Sequence, residues 1–300
     1  QLTPALIGVA KRFGCKTVLT AHDYKIVCPS YTMLRDGHVC DDCLTGSVSN
    51  AFRHRCQQGD TFKSLLLSLE AYWQKFAQNY AMLDCIIAPS EFMRQTLLRK
   101  LPRSRIDVIV NGIDASTTIP GDTAGDYFLY IGRLSREKGV ATLALAQQKM
   151  QQSMPLKIVG DGPLGSDLRA RFSGPEFLGY MRHGDALNAL IRGARAVIVP
   201  SEYYENCSMS VLEAMAFGRP VVGGNIGGIP EQIRDGIDGY LVEPGDADAL
   251  ARIMDSLAVN PQQAREMGIN ARQRLEEKYD LARHMQVLQE LYQQLVGEAK

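Results

Sequence analysis

No run of about eighteen apolar residues occurs in the 300-residue sequence, so no membrane-spanning helix is expected. Nothing at its start reads as a secretory signal. Charge of one sign is not in excess either. The 33 Lys and Arg balance 33 Asp and Glu, and no nucleic-acid partner is expected. The seven cysteines lack the two Cys-x2-Cys pairs of a zinc ribbon. What remains is ordinary globular composition, 45% apolar and 22% charged, in a length that suits one or two domains.

The balanced charge is unevenly spread. Residues 1–112 carry fourteen Lys and Arg against nine Asp and Glu. A basic first part suits an anionic partner such as a lipid headgroup, a phospholipid surface or a lipid-phosphate acceptor. A chance imbalance accounts for so modest an excess equally well.

The chain opens inside an apparent helix, with Ala5, Leu6, Val9 and Ala10 on one stripe. Thr17 to Thr20 reads as a buried parallel strand with His22 just past its carboxyl end. A helix over 62–82 follows, then a strand over 84–88, a helix capped by Ser90 and a strand over 106–110. The small, polar stretch 115–126 reads as an interdomain linker. Beyond it strands and helices alternate through 127–257, the signature of a doubly wound parallel sheet. Helices over 261–278 and 281–296 end the chain.

The most informative segment runs from Glu205 to Val222. A helix starting near Ser208 leaves Glu205 just outside its N-terminus and puts Glu213 one to two turns in. Backbone N–H groups at Ser208, Met209 and Ser210 then lie between two carboxylates, where a phosphate binds readily. Each carboxylate can accept from a pair of vicinal hydroxyls. Two acids around an anion site match a nucleotide-sugar, one holding the ribose and the other the sugar. Glu213 as a solvated surface acid is the weaker reading, because Val211, Leu212, Ala214, Met215 and Ala216 flank it.

Arg133 and Lys138 sit on the turn after a strand, bracketed by Gly132 and Gly139. Cations there would meet charge growing on a leaving diphosphate, although surface cations near a turn are common. Gly160, Asp161 and Gly162 open a Gly-x-Gly-x-x-Gly string, but the next strand, Phe177 to Gly179, ends without the acid that a dinucleotide site needs. We read these glycines as close backbone approach to a nucleotide, with Tyr180 and Met181 flanking the base; a plain loop fits as well. In open parallel sheets ligands lie at strand carboxyl ends, where all these segments fall.

The Glu-x7-Glu pattern with Leu212-Glu213-Ala214-Met215-Ala216-x-Gly218-x-Pro220-Val221-Val222 resembles the retaining, nucleotide-sugar-dependent glycosyltransferases of family 4. The segments 130–139, 156–163, 177–180, 227–231, 238–242 and 244–246 agree and come in the family's order. The resemblance implies GT-B architecture, two Rossmann-like parallel-sheet domains facing a cleft. It implies a partial first domain over 1–114, the linker 115–126, a donor-binding domain over 127–279 and a final helix, 280–300, crossing back. The family's opening strand and Gly-rich loop are not found, so the chain is expected to be cut into its first domain. Arg133, Lys138 and Glu205 are implied as catalytic, and His22 as touching the donor sugar. Gly132, Gly160, Asp161, Gly162, Tyr180, Met181, Ser208, Met209, Ser210, Leu212 and Glu213 are expected around the donor.

The resemblance further implies transfer of a sugar from a UDP- or GDP-sugar to a glycan, lipid-linked or small-molecule acceptor, in bacterial surface polysaccharide synthesis. It places the protein in the cytoplasm, with room for a peripheral contact on the inner membrane face. No cofactor and no catalytic metal are expected, on the reading that the Asp-x-Asp triad of the metal-dependent transferases is lacking. Cys28, Cys40, Cys43 and Cys56 are candidate ligands for a structural zinc, with free thiols the preferred reading. A dinucleotide-dependent oxidoreductase and a nucleotide-sugar-binding module without turnover are the rival readings.

Overall fold

The computed structural model describes residues 4–121 and 123–297. The chain divides into two compact units, one running to Val110 and resuming at Met285, the other Asn111–His284.

The first unit holds a three-stranded parallel sheet in the order β1 (Val18–Thr20), β4 (Cys85–Ala88), β5 (Ile106–Val108). All four residues of β4 are buried, as expected of a central parallel strand covered on both faces. β1 departs from the expectation of a buried strand. Among the described residues it pairs with β4 alone, so it lies at the sheet edge with Thr20 exposed. Helix α1 (Ala5–Arg12) precedes it. Helix α5 (Glu91–Leu98) starts where Ser90 Oγ accepts from Met93 N at 3.2 Å. Cys85, Ile87 and Ile109 pack with Leu291 and Leu295 of the last helix, α13 (Leu281–Gly297).

Between β1 and β4 the chain is irregular. A hairpin of β2 (Leu34–Arg35) and β3 (His38–Val39) leads to two single turns, α2 (Asp42–Thr45) and α3 (Asn50–Arg53). The expected helix over 62–82 divides into α4 (Thr61–Phe76) and a 3-10 turn, Asn79–Met82, because Gln78 takes a left-handed conformation. Asp60 caps α4 by accepting from Lys63 N at 2.9 Å.

The irregular stretch gathers four cysteines. Cys43 and Cys28 are buried, Cys40 and Cys56 half-buried, and all four are free thiols. Burial, and then the neighbouring Cys28, Cys56 and Cys40, push the Cys43 thiol up to about 12. The thiols therefore sense one another. Among the described residues, however, no three His, Cys, Asp or Glu side chains are arranged to hold a metal ion. Cys28, Cys40, Cys43 and Cys56, the candidate zinc ligands, thus lie near one another without forming such a group.

The second unit is built on a six-stranded parallel sheet. Its strands are β6 (Phe128–Ile131), β7 (Leu156–Val159), β8 (Glu176–Gly179), β9 (Ala196–Val199), β10 (Val221–Gly224) and β11 (Gly239–Val242). Between them come α6 (Val140–Lys149), α7 (Gly165–Arg171), α8 (Asp185–Gly193), α9 (Met209–Ala216) and α10 (Ile229–Gln232). α11 (Ala247–Val259) and α12 (Pro261–Lys278) follow β11. One core joins Phe128, Ile158, Ile198 and Val222 of the strands to Leu143 of α6 and Leu250 and Met254 of α11.

The spatial order is β11-β10-β9-β6-β7-β8. The chain builds outward from β6 to β8, then returns to β9 on the other side of β6. The order reverses between β6 and β9, and ligand crevices form at such a reversal. The stretch expected as a linker is tied to this unit. Arg195 Nε donates to Ala124 O at 2.6 Å, and Arg272 Nη2 to Ala115 O at 2.7 Å.

Candidate active site in the second unit

The reversal sets the turn after β6 beside the turn after β9. Gly139 makes their contact tight: a Cβ there would stand 1.8 Å from Pro200 O, and its φ is +67°. Glu202 N donates to Glu137 O at 2.8 Å across the same seam. Lys138 is thereby delivered to Glu205. Its Nζ donates to Glu205 Oε1 at 2.8 Å and to Tyr203 Oη at 2.9 Å.

Glu205 is buried and accepts from two further groups, Ser201 Oγ on Oε1 and Tyr203 Oη on Oε2, each at 2.9 Å. Its backbone is pinned too. Gly228 N donates to Glu205 O at 2.7 Å, and Gly227, at φ +63°, leaves no room for a Cβ beside that carbonyl. Burial, then the Glu205 charge, push the Tyr203 hydroxyl well above its ordinary value. Tyr203 thus stays a neutral donor to the carboxylate. The same two causes act on Tyr130, whose hydroxyl donates to Arg133 O at 2.8 Å. That bond fixes the turn carrying Arg133, whose side chain is exposed.

Helix α9 begins at Ser208, as its sequence predicts. Its first free N–H groups are fewer than expected. Ser208 N donates to Gln232 Oε1 at 2.8 Å, and Gln232 Nε2 returns a bond to Ser208 O at 3.0 Å. An anion at this end would meet Met209 N and Ser210 N instead. Met209 is exposed, and Ser210 Oγ donates to Ile131 O at 3.3 Å. Leu212, expected beside a donor, is fully buried in the core and has no surface to offer a ligand.

Glu213 is half-buried, and burial raises its carboxyl above the ordinary range. His183 Nδ1, on an exposed side chain, lies 3.8 Å from its Oε1. Tyr180 is exposed, Met181 half-buried and Asp161 exposed. The glycines of the 160–165 turn meet the neighbouring backbone closely. A Cβ on Gly160 would stand 1.8 Å from Gly132 O, and one on Gly162 2.6 Å from Leu134 O. Their lack of side chains admits the neighbouring Gly132–Leu134 turn, and Leu134 N donates to Asp161 O at 2.9 Å. His22 lies in the first unit. It is exposed beside a cavity of about 810 Å³ that Thr20, Lys25, Glu70 and Tyr80 also line.

Ser201, Tyr203, Gly228 and Gln232 were missed by sequence reasoning. Ser201 and Tyr203 fall within the right strand-end segment, whereas nothing in the sequence points to Gln232. Contrary to the expectation, an Asp-x-Asp string does occur at 246–248, in the turn after β11 and at the start of α11. It serves the fold: Asp246 accepts from Ala249 N at 2.8 Å to cap α11, and Asp248 pairs with Lys149 at 2.6 Å.

A cation–carboxylate pair and a helix N-terminus stand together at the switch point of a parallel sheet, a place where phosphate-bearing ligands commonly bind. Comparison with known proteins narrows the class. Residues 2–117 match the family description Glycosyltransferase Family 4, and residues 125–260 match Glycosyl transferases group 1. The chain belongs to the family 4 glycosyltransferases, with GT-B architecture. It is 29% identical over 246 residues to alpha-maltose-1-phosphate synthase of Mycolicibacterium smegmatis, covering 71% of this chain and 63% of that protein. It is 35% identical over 190 residues to glycogen synthase of Mycobacterium tuberculosis, covering 59% of this chain and 45% of that protein. The chain thus spans less than two thirds of the length of these relatives. Among solved structures, Anabaena HepE in complex with UDP superposes with a TM-score of 0.73 at 18% identity, over 97% of this chain and 76% of that one.

Proposed function

We propose that the protein transfers a sugar from a nucleoside-diphosphate sugar, a UDP- or GDP-sugar, to a glycan, lipid-linked or small-molecule acceptor, with retention at the anomeric carbon and without a catalytic metal. The observation that carries this reading is the Lys138–Glu205 pair beside the N-terminus of α9. In the proposed reaction the acceptor hydroxyl attacks on the face from which the diphosphate departs. The bond from anomeric carbon to phosphate oxygen breaks, and its electron pair leaves with the phosphate. That oxygen takes the acceptor proton while a new glycosidic bond forms.

Lys138 and Arg133 would meet the charge growing on the leaving group. Glu205, oriented by Ser201 and Tyr203, would hold the donor sugar hydroxyls. Glu213 would accept from the ribose diol, with Tyr180 and Met181 near the base. His22 is carried over as a contact of the donor sugar on the family resemblance alone. UDP in the Anabaena structure favours a uridine donor. Bacterial surface polysaccharide assembly, on the inner face of the membrane, is the setting we propose; no helix among the described residues is long and apolar enough to cross a membrane.

Calorimetric titration with UDP, GDP and NADH tests the reading, followed by a donor-hydrolysis screen over nucleotide-sugars. We expect a nucleoside diphosphate to bind and Lys138→Ala to slow hydrolysis by roughly two to three powers of ten. Binding of NADH with no response to either diphosphate would favour a dinucleotide oxidoreductase. Tight diphosphate binding with no hydrolysis or transfer of any donor would favour a binding module.

A further inference from the structure

One buried amide holds the segment that runs from Glu205 into α9. Gln232, the last residue of α10, is 1% exposed. Its Oε1 accepts from Ser208 N at 2.8 Å, and its Nε2 donates to Ser208 O at 3.0 Å. The side chain thus pairs with both backbone groups of one residue, as a neighbouring strand would. Nε2 also lies 3.5 Å from Cys207 Sγ. The other end of the segment is held by the residue that opens α10, since Gly228 N donates to Glu205 O at 2.7 Å. This one short element therefore grips residues 205–208 at both ends.

The grip is itself anchored. Arg274 of α12 donates through Nε to Gln232 O at 2.7 Å and through Nη2 to Glu231 O at 2.9 Å. Tyr279 Oη donates to Glu231 O at 2.8 Å. Two groups that the proposed reaction uses ride on the gripped segment. One is Glu205, held against Lys138; the other is the pair of N–H groups, Met209 and Ser210, that open α9. An apolar side chain of the same length would fill the space of Gln232 and leave Ser208 N and O without it, so packing alone does not ask for an amide here.

We propose that Gln232 is a positioning residue of the donor site: its amide fixes the start of α9 against the turn after β9, so that Glu205 meets the sugar hydroxyls while the Met209 and Ser210 N–H groups meet the diphosphate. This rests on the nucleotide-sugar reading above and adds to it a residue that acts only through its neighbours.

Three variants test it. Gln232→Met keeps the length and removes both bonds. Gln232→Glu keeps both bonds only as the acid, which accepts from Ser208 N and donates to Ser208 O; the ion has no proton to donate and brings negative charge beside the diphosphate. Tyr127→Phe is the control. It removes another bond of the same unit, Tyr127 Oη to Leu190 O at 2.7 Å, ahead of β6 and away from the strand carboxyl ends. Melting temperature, affinity for UDP and GDP by calorimetry, and donor hydrolysis are measured for each, well below its own melting point.

We expect Gln232→Met to lose about tenfold or more in diphosphate affinity, the worth of one hydrogen bond to a charged group. Its turnover should fall by about tenfold to a hundredfold. Gln232→Glu should approach the parent at low pH and fall away from it as pH rises, because burial favours the acid form until alkali removes its proton. Glu205 and Glu231 reinforce that preference, while Arg274 and Lys278 oppose it. Taking the ratio to the parent at each pH cancels the titration of Glu213. Tyr127→Phe should melt lower and bind the diphosphate like the parent. Should Gln232→Met fail to fold, the pH comparison on Gln232→Glu decides alone.

Parent-like binding and turnover in Gln232→Met would overturn the proposal and leave the nucleotide-sugar reading standing. A Gln232→Glu ratio that does not change with pH, or an equal loss of affinity in Tyr127→Phe, would reduce the amide to a structural bond and overturn it too. A parent that binds neither UDP nor GDP would remove the reading and the proposal together.

Discussion

Lys138 and Glu205, 67 positions apart in the chain, meet at 2.8 Å because the sheet order reverses between β6 and β9. The pair is half-sheltered, the Lys side chain 28% and the Glu side chain 11% exposed. Lys138→Ala removes a charged donor and leaves Glu205 with two hydroxyl donors. We expect a loss of roughly two to three powers of ten in turnover. We also expect about 2 kcal/mol of stability to go, in the range of a hydrogen bond to a charged group. Lys138→Arg should recover part of the stability and little of the rate. Near-normal turnover of Lys138→Ala would remove it from the proposed chemistry.

The two acids should separate by pH. Burial raises the Glu213 carboxyl, and the nearby His183 opposes that shift. Only the ionised form accepts from both ribose hydroxyls. UDP affinity is therefore expected to fall as pH is lowered toward the carboxylate range, starting at higher pH than for an ordinary glutamate. Glu213→Gln should bind more weakly at all pH values and flatten the profile. Glu205→Gln should leave UDP affinity close to the parent and reduce turnover. Calorimetry with free UDP measures the first two, and an equal loss in both variants would end the division of roles.

Much of the second unit is written in its sequence. The start of α9 near Ser208 and the alternation through 127–257 rest on local chemistry, which sequence carries directly. Strand order is not local. The sequence places Lys138 and Glu205 each at a strand end, but the reversal that joins them depends on which side of β6 the chain returns to. The other partners are partly hidden for the same reason: Ser201 and Tyr203 are close to Glu205 in sequence, whereas Gln232 reaches Ser208 from 24 positions away. Helix α4 hides differently. Periodicity gives it an apolar face, yet only its surroundings show that the face with Ser64 and Ser68 points inward.

The turn contacts give a test with a built-in control. Gly160 has φ +138°, and a Cβ there would collide with Gly132 O at 1.8 Å. Gly179 also has a positive φ, +74°, but has nothing within 4 Å. Gly179→Ala should cost about 1 kcal/mol of backbone strain. Gly160→Ala adds a backbone collision and should cost about 3 kcal/mol or more, shifting the turn that carries Arg133 and weakening UDP binding. Thermal melts of both variants check the difference, and equal losses would mean that the turns do not pack as described.

The buried thiols should make the protein sensitive to alkali. Burial is the main cause pushing Cys43 up to about 12 and Cys56, Cys85 and Cys207 up to about 11, all from an ordinary value of 9.0. Between pH 9.0 and about 11 the unfolded chain therefore loses protons that the folded chain keeps. Fewer protons on the unfolded state means that stability falls as pH rises. The contribution is complete below pH 9.0 and is lost progressively above it. Melting temperature against pH measures this, and alkylation near neutral pH should mark exposed Cys15 well before Cys43 or Cys207. Metal analysis belongs beside it. With no metal-holding group of three such side chains among the described residues, less than about half an equivalent of zinc is expected. Near one equivalent, with a chelator lowering the melting temperature, would show instead that Cys28, Cys40, Cys43 and Cys56 close around an ion. The alkaline loss should then shrink, because metal-bound thiolates have already given up their protons.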